Sequence, residues 1–413
     1  MNSADIEALV AGCGLRVEAD PVKGKRTVAA RSFARGSTLL SVRPLYGFPV
    51  RASEASAPPN QPAQTQAPQS LQGTADDRCS HCFAQLPGRR PRCSQCHQAQ
   101  YCSTGCLTEH WTARHYFECG RINSAAVDAA AAELKPEYRQ YLRMAVGILC
   151  AIHIDNMPEW LRVQAGAWRE LVGHRDEHPQ YVIRQYEEIA RVFIKHREAI
   201  GGFGGSEDDV VSLLCRSGCN NFAAYEQHHP RMSGYLCSPV VSLLLNHSCI
   251  PNAAFVYADG QQIVRALDDI SEGEEIVLAY ADGLQPRAER QKQLAAVYFF
   301  DCTCEKCSGD QAPRAQIDGL MSRALAVGGQ APEFLPTDYA QPPAAEPWVQ
   351  NVIGMLLKHS RAGGTSKSAL GQGLLDAVCA LPARNFSFAA YQHWLECQDE
   401  CLERISAGNA SNE

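Results

Sequence analysis

Leu245-Asn246-His247-Ser248-Cys249 ends an apolar run (Val240, Val241, Leu243, Leu244, Leu245) on an Asn-His pair, so the chain leaves its core where the backbone turns. Downstream stand Tyr280 and three cysteines spaced Cys302-x-Cys304-x2-Cys307. Three thiolates are one short of the tetrahedral set that structural zinc takes. Cys249 is too distant in sequence to be their local pair, but it suits the fourth place. Metal binding by these four would tie a C-terminal segment over the Asn-His turn and wall off a pocket.

The 413 residues suffice for two or three units, each with its own core. A net charge of -7 gives no general drive toward nucleic acid. Arg78, Arg89, Arg90, Arg92, Arg114 and Arg121 form a local positive excess over Glu109 and Glu118, which reads as solvated surface. The N-terminus, with Asp5 and Glu7, lacks the basic and apolar regions of a signal peptide. No apolar run approaches the roughly 20 residues that cross a bilayer, so no membrane partner is expected. Nineteen cysteines without an export signal argue for a reducing compartment and metal ligation.

The densest signal is Cys79-x2-Cys82, Cys93-x2-Cys96, Cys102-x3-Cys106 and His115-x3-Cys119. Eight ligands at such spacings make two four-ligand zinc sites. His110 competes with His115 for the last site. At roughly 100° per helical residue, His115 and Cys119 share a face while His110 and Cys119 are nearly opposed, which selects His115. A module of this size builds little core, so coordination supplies most of its folding energy.

Around this module, residues 15–50 read as strands, with Thr27–Ala30 and Thr38–Val42 as β-prone runs separated by the turn signal Arg35-Gly36. Residues 51–77, rich in Ala, Pro, Gln and Ser, cannot bury enough surface to order themselves and read as a flexible insertion without chemistry. From Ser124 to Tyr225 apolar residues recur at three and four, as in Tyr138, Tyr141, Leu142, Ala145, Ile148 and Leu149. Gly201–Gly205 interrupts that series and Ser206 opens another helix, on which Cys215 and Cys219 read as core. Asp259-Gly260 between two alternating runs signals a type I′ hairpin. A last strand over Ile276–Tyr280 and a helix over Arg287–Tyr298 follow. Beyond residue 309 a proline-rich loop precedes helices near Trp348–His359, Ala369–Leu381 and Phe388–Ile405, where His393, Cys397 and Cys401 read as core.

Asn246-His247-Ser248-Cys249-Ile250-Pro251-Asn252, Glu274-Glu275-Ile276 to Tyr280, and the late cysteine triplet resemble a SET domain with its post-SET cysteines. With the upstream cysteine block, the chain resembles a SET-and-MYND (SMYD-type) protein-lysine methyltransferase over roughly residues 15 to 308. The resemblance implies an α+β chain: a β-rich SET fold split by a zinc-binding MYND module and a helical insert, then a post-SET zinc site and a helical C-terminal region. The implied boundaries are 1–50 and 231–285 for the SET halves, 51–77 for the low-complexity insertion and 78–120 for MYND. The helical insert takes 121–230, the post-SET site 286–308 and the C-terminal region 309–413.

It further implies interleaved ligation in MYND: Cys79, Cys82, Cys102 and Cys106 on one ion, Cys93, Cys96, His115 and Cys119 on the other. Here one residue more than the family's usual number separates Trp111 from His115, which a loose helix start would absorb. Cys249, Cys302, Cys304 and Cys307 would hold a third, closed zinc. S-adenosylmethionine is the implied cofactor, held by Gly24, Lys25, Asn220, Asn246, His247, Tyr280 and Phe300. Tyr280 is the implied catalytic residue, with Phe222 and Tyr298 walling an apolar lysine channel. Where the family carries the second glycine of its cofactor loop, this chain has Arg26, which would either crowd the cofactor or hold its carboxylate.

The expected reaction is methyl transfer to a lysine of a histone or non-histone protein, with nucleus and cytoplasm as compartments. Peptide docking on MYND is a further expectation, and Asp268, Asp269, Glu272, Glu274 and Asp282 would suit a basic target segment. The competing reading is a catalytically silent MYND adaptor in transcriptional regulation. A DNA-binding regulator is disfavoured by the acidic balance and by the lack of a recognition helix of the zinc-finger kind.

Overall fold

A computed structural model describes residues 3–34, 36–50, 78–86, 90–226, 229–267, 269–281 and 287–308. The insertion at 51–77, the region at 309–413 with its His393-Cys397-Cys401 row, and Asp268 and Asp282 lie outside the described residues.

Helix α1 (Ser3–Gly12) leads into the hairpin of β1 (Leu15–Asp20) and β2 (Gly24–Ala29), paired antiparallel so that Glu18 stands opposite Arg26. Strands β3 (Thr38–Val42) and β4 (Tyr46–Pro49) then go to different sheets. The cysteine block contributes α2 (Thr104–His110), a π-helical turn at Trp111–His115 and α3 (Tyr116–Glu118). Helices α4 (Ser124–Ala132), α5 (Pro136–Ile152), α6 (Glu159–Glu170), α7 (Gln180–Ile200) and α8 (Glu207–Gly218) make the helical layer. Strands β5 (Asn221–Glu226) and β6 (His229–Cys237), helix α9 (Pro239–Leu244) and strands β7 (Asn246–His247), β8 (Ala253–Ala258), β9 (Gln261–Ala266) and β10 (Val277–Leu278) follow. Helices α10 (Arg287–Tyr298) and α11 (Glu305–Ser308) end the described chain.

Among the described residues these strands form four small sheets, ordered β1-β2, β10-β7, β3-β9-β8 and β4-β6-β5. Sequence-distant strands become neighbours: β3 pairs with β9, and β7 runs parallel to β10. Asp259 and Gly260 both take positive φ (50° and 71°), as a type I′ turn between β8 and β9 requires. Helix α8 begins at a capping box, in which Ser206 Oγ accepts from Asp209 N and the Asp209 carboxylate accepts from Ser206 N. Pro136 opens α5, where its missing N–H leaves no helical bond unmade.

One apolar core lies among α4, α5, α6, α7 and α8, around Leu142, Ile148, Trp168, Tyr186 and Phe193. A second lies beneath the strands, around Leu15, Leu40, Val241, Val264 and Ile276. Cys215 on α8 and Cys219 just past its end are buried. The two layers touch where Gly147 of α5 meets Tyr46 of β4. A Cβ on Gly147 would stand 2.0 Å from the Tyr46 ring, so only glycine fits there.

The cysteine block is bolted to the β4-β6-β5 sheet. Phe83, fully buried, lies over Gly234, where an added Cβ would come within 2.3 Å of its ring, and stacks on Tyr257 at 4.8 Å. Tyr257 Oη donates to His81 O at 2.8 Å, and Arg114 Nη2 donates to Gly47 O at 2.7 Å. Arg114 also pairs with Glu118 one helical turn on, both nearly dry. Removing either partner would strand a buried charge. The signal for this pair was an i, i+4 spacing, visible in the sequence but read above only as part of a solvated basic patch.

Candidate methyl-transfer site

Among the described residues three groups of four ligand atoms gather: Cys79, Cys82, Cys102 and Cys106; Cys93, Cys96, His115 and Cys119; Cys249, Cys302, Cys304 and Cys307. Within each group all ligand atoms lie within 4.8 Å of one another. A tetrahedral zinc with bonds near 2.3 Å sets sulfurs about 3.8 Å apart. Observed separations are 3.6 Å for Cys82–Cys102, 3.8 Å for Cys93–Cys119, 3.9 Å for Cys249–Cys302 and 3.6 Å for Cys249–Cys307. Disulfide sulfurs would sit near 2.05 Å, and every cysteine among the described residues is free. The donor sets and spacings therefore fit tetrahedral zinc.

His115, not His110, joins the second group, with Nε2 3.4 Å from Cys96 Sγ. The additional residue before it is taken up by the π turn Trp111–His115, not by a loose helix start. A π turn widens the hydrogen-bonded loop by one residue and so restores the face. His110 turns inward instead, with Nδ1 3.1 Å from Tyr101 Oη.

The third group explains the Asn-His turn. Tyr280, Tyr298 and Phe300 pack against this cluster. The Tyr280 ring lies 4.8 Å from Tyr298 and 5.3 Å from His247, and Phe300 lies 5.9 Å from His247. Phe222 touches Phe255 edge-on at 4.9 Å and packs on the same strand core as Tyr280.

Parallel pairing of β7 with β10 brings residues 246–247 beside 277–278, and the Tyr280 side chain reaches back from beyond β10 to Leu245. Tyr280 N donates to His247 Nδ1 at 2.9 Å, and Tyr280 Oη donates to Leu245 O at 2.5 Å. Burial, then the neighbouring Tyr298 and Glu275, raises the Tyr280 phenol above its ordinary value. Burial lowers the His247 imidazole to about 4. Both are neutral at physiological pH.

Asn246 Nδ2 donates to Lys25 O at 2.6 Å and to Glu275 Oε1 at 3.0 Å, joining the β1-β2 hairpin to the turn. Glu275 also pairs with Lys23 at 2.7 Å. Gly24 has positive φ and open space where a Cβ would be. Asn220 is placed differently from the others: its amide nitrogen donates to Val172 O and Arg216 O, closing the end of α8, so only its side-chain oxygen is left for a ligand. Arg26 is bound to Glu18 across the hairpin. Glu274 accepts from Asn252 and from Ser271 N, so this carboxylate braces a turn.

A cavity of about 260 Å³ lies elsewhere, between the cysteine block, β4 and α5, and is lined by Tyr46, Arg78, His110, Arg114 and Arg143. No residue of the methyl-transfer set lines it, and its Arg114 and Arg143 are paired with Glu118 and Asp128. Among the described residues, no helix is long and apolar enough to cross a membrane.

A SET domain model matches residues 99–281. N-lysine methyltransferase SMYD2 of Bos taurus is 26% identical over 311 residues, covering 74% of this chain and 63% of the relative. The SMYD2 of Gallus gallus is 28% identical over 309 residues, covering 73% and 62%. Histone-lysine N-methyltransferase ASHR1 of Arabidopsis thaliana is 25% identical over 318 residues, covering 75% and 58%. The chain thus spans about three fifths of the length of the curated relatives it matches.

Proposed function

This chain is a SET-domain protein of the SMYD type, and from that premise we propose that it transfers methyl groups from S-adenosylmethionine to lysine side chains of proteins. The observation that carries the reading is the position of Tyr280, braced by Leu245 O, faced by Tyr298 and linked through His247 to the third cysteine cluster.

When bound, S-adenosylmethionine supplies a sulfonium methyl that the lysine nitrogen takes in line as the C–S pair returns to sulfur. Lys25, Asn246, His247 and Phe300, with Gly24 leaving room for close approach, are the residues proposed to hold it; Asn220 would add only its side-chain oxygen. The Tyr280 hydroxyl donates its hydrogen bond to Leu245 O, which leaves the oxygen's lone pairs to orient the amine and to meet the partial positive charge of the methyl. Lysine must lose its proton first, which at pH 7.5 costs about 4 kcal/mol from a solution value near 10.4. Tyr280, Tyr298 and Phe222 favour the neutral amine by keeping water from its channel.

The three cysteine clusters would hold zinc in closed structural sites with no open position for water. The first two fold the 78–120 module, and the third fastens Tyr298 and Phe300 against His247. The proposed architecture is the divided SET fold set out above. Peptide docking on the module is part of this proposal, supported by Tyr116, 62% exposed and edge-on to Trp111. So is residence in nucleus and cytoplasm.

Labelled-methyl transfer to proteins of a cell extract tests the reaction. Label should enter lysine with the wild-type chain and fall sharply with Tyr280→Phe and Asn246→Ala. Absence of transfer together with no binding of S-adenosylmethionine at millimolar concentration would leave only the adaptor reading.

A further inference from the structure

His247 sits between the third cysteine cluster and Tyr280 and touches both. Its Nδ1 lies 2.9 Å from Tyr280 N, and its Nε2 lies 3.3 Å from Cys249 Sγ. A backbone N–H can only donate, so Nδ1 must present its lone pair. The single proton of a neutral imidazole is then on Nε2, aimed at the sulfur. The ring is 7% exposed, so solvent offers little competition for either bond.

At another ligand of the cluster stands Arg290, fully buried, with Nη2 3.6 Å from Cys307 Sγ. Four thiolates around a dication carry two net negative charges, and such a centre inside a protein calls for donors and cations around it. His247 and Arg290 meet that need at two different ligands, Cys249 and Cys307. The two donors differ in their other connections. Beyond His247 the path runs through Tyr280 N to the tyrosine whose hydroxyl is fixed on Leu245 O.

We propose that His247 is a positioning relay that donates from Nε2 to Cys249 Sγ and accepts Tyr280 N–H at Nδ1, so that the ion held by the third cluster sets the place of Tyr280. The inference rests on the role given to Tyr280 above, and it predicts coupling between metal and tyrosine that packing alone would not produce. Changing the ion should move Tyr280 when His247 is present and leave it unmoved when the ring cannot make the two bonds.

The test uses the full chain loaded with cadmium-113 and labelled with 3-fluorotyrosine, the Tyr280 signal being identified by its loss in Tyr280→Phe. Three results are expected. The His247 imidazole proton shows a scalar coupling to one cadmium across the N–H···S bond, and its nitrogens report the Nε2–H form. Exchanging zinc for cadmium shifts the Tyr280 fluorine signal in the wild type but not in His247→Phe. One of the three zinc ions leaves that variant about 10–100-fold faster under chelation. An Nδ1–H ring without cadmium coupling, or an equal fluorine shift in both proteins, overturns the relay. If His247→Phe does not fold, the coupling and tautomer of the unmutated chain decide alone. None of these readouts needs turnover, so a chain that shows them and transfers no methyl group keeps the relay and overturns the reaction.

Discussion

Arg26 and Glu18 face each other across the β1-β2 hairpin, with Arg26 Nη2 2.8 Å and Nε 3.1 Å from the same carboxylate oxygen. Thr27, next along β2, sends its hydroxyl to Leu244 O on the side of the Asn-His turn. Successive strand residues alternate faces, so the arginine lies on the opposite face from that turn. A side chain where a glycine was expected therefore neither crowds the proposed cofactor place nor reaches into it.

Replacing Arg26 by Ala is accordingly expected to leave S-adenosylhomocysteine affinity within about twofold, since only a solvent-exposed pair is lost. Calorimetric titration checks this. A tenfold loss would mean that the guanidinium leaves Glu18 to hold the ligand.

Tyr280→Phe removes one hydroxyl and its bond to Leu245 O while keeping the ring on Tyr298. Turnover should fall by about 10²–10³-fold, as for loss of one preorganised polar group. Affinity for S-adenosylhomocysteine should change little. Stability should drop by about 1 kcal/mol. Single-turnover kinetics separates the chemical step from binding, and unchanged turnover would remove the tyrosine from the mechanism.

Rate should climb with pH. The Tyr280 phenol is held above its ordinary value, chiefly by burial, so it stays protonated well past pH 10. The free lysine loses its proton near 10.4, and the rate should rise about tenfold per unit from pH 7.5 toward that value. The stability linkage has the matching sign. A raised folded value means that the contribution of Tyr280 is complete below about pH 10 and is lost as pH rises through the folded value. Denaturant titrations at pH 8 and 10.5 follow the second effect, and a rate maximum near pH 8 in Tyr280→Phe and wild type alike would contradict the first.

Gly234→Leu should detach the cysteine block from its sheet, because the Phe83 ring occupies the space any side chain would need. Overpacking of this kind costs roughly 1–3 kcal/mol. Limited proteolysis between the block and the strands should accelerate while the first two metal sites stay filled.

Much of this was legible in the sequence because chemistry-bearing residues advertise themselves by spacing. The Cys-x2-Cys pairs, the late cysteine triplet and the Asp259-Gly260 turn each restrict the backbone locally, and each has that local form in the fold. What was not legible depends on partners distant in sequence. The pairing of β3 with β9, the commitment of the Asn220 amide to the end of α8, and the Arg26–Glu18 link are set by neighbours that no local pattern names. The π turn at Trp111–His115 is intermediate: a residue in excess was visible, but its accommodation depended on holding His115 beside Cys96. The α1 helix was missed, since Ser3–Gly12 has little apolar periodicity to mark it.

The account turns on one shared ion between Cys249 and the cysteines near residue 305, closing a pocket beside Tyr280. Counting zinc in Cys249→Ala while titrating it with S-adenosylhomocysteine tests this most directly. The predicted result is two zinc ions per chain instead of three and loss of cofactor binding, with the 78–120 module intact. Three ions retained, or undiminished cofactor affinity with two, would contradict it.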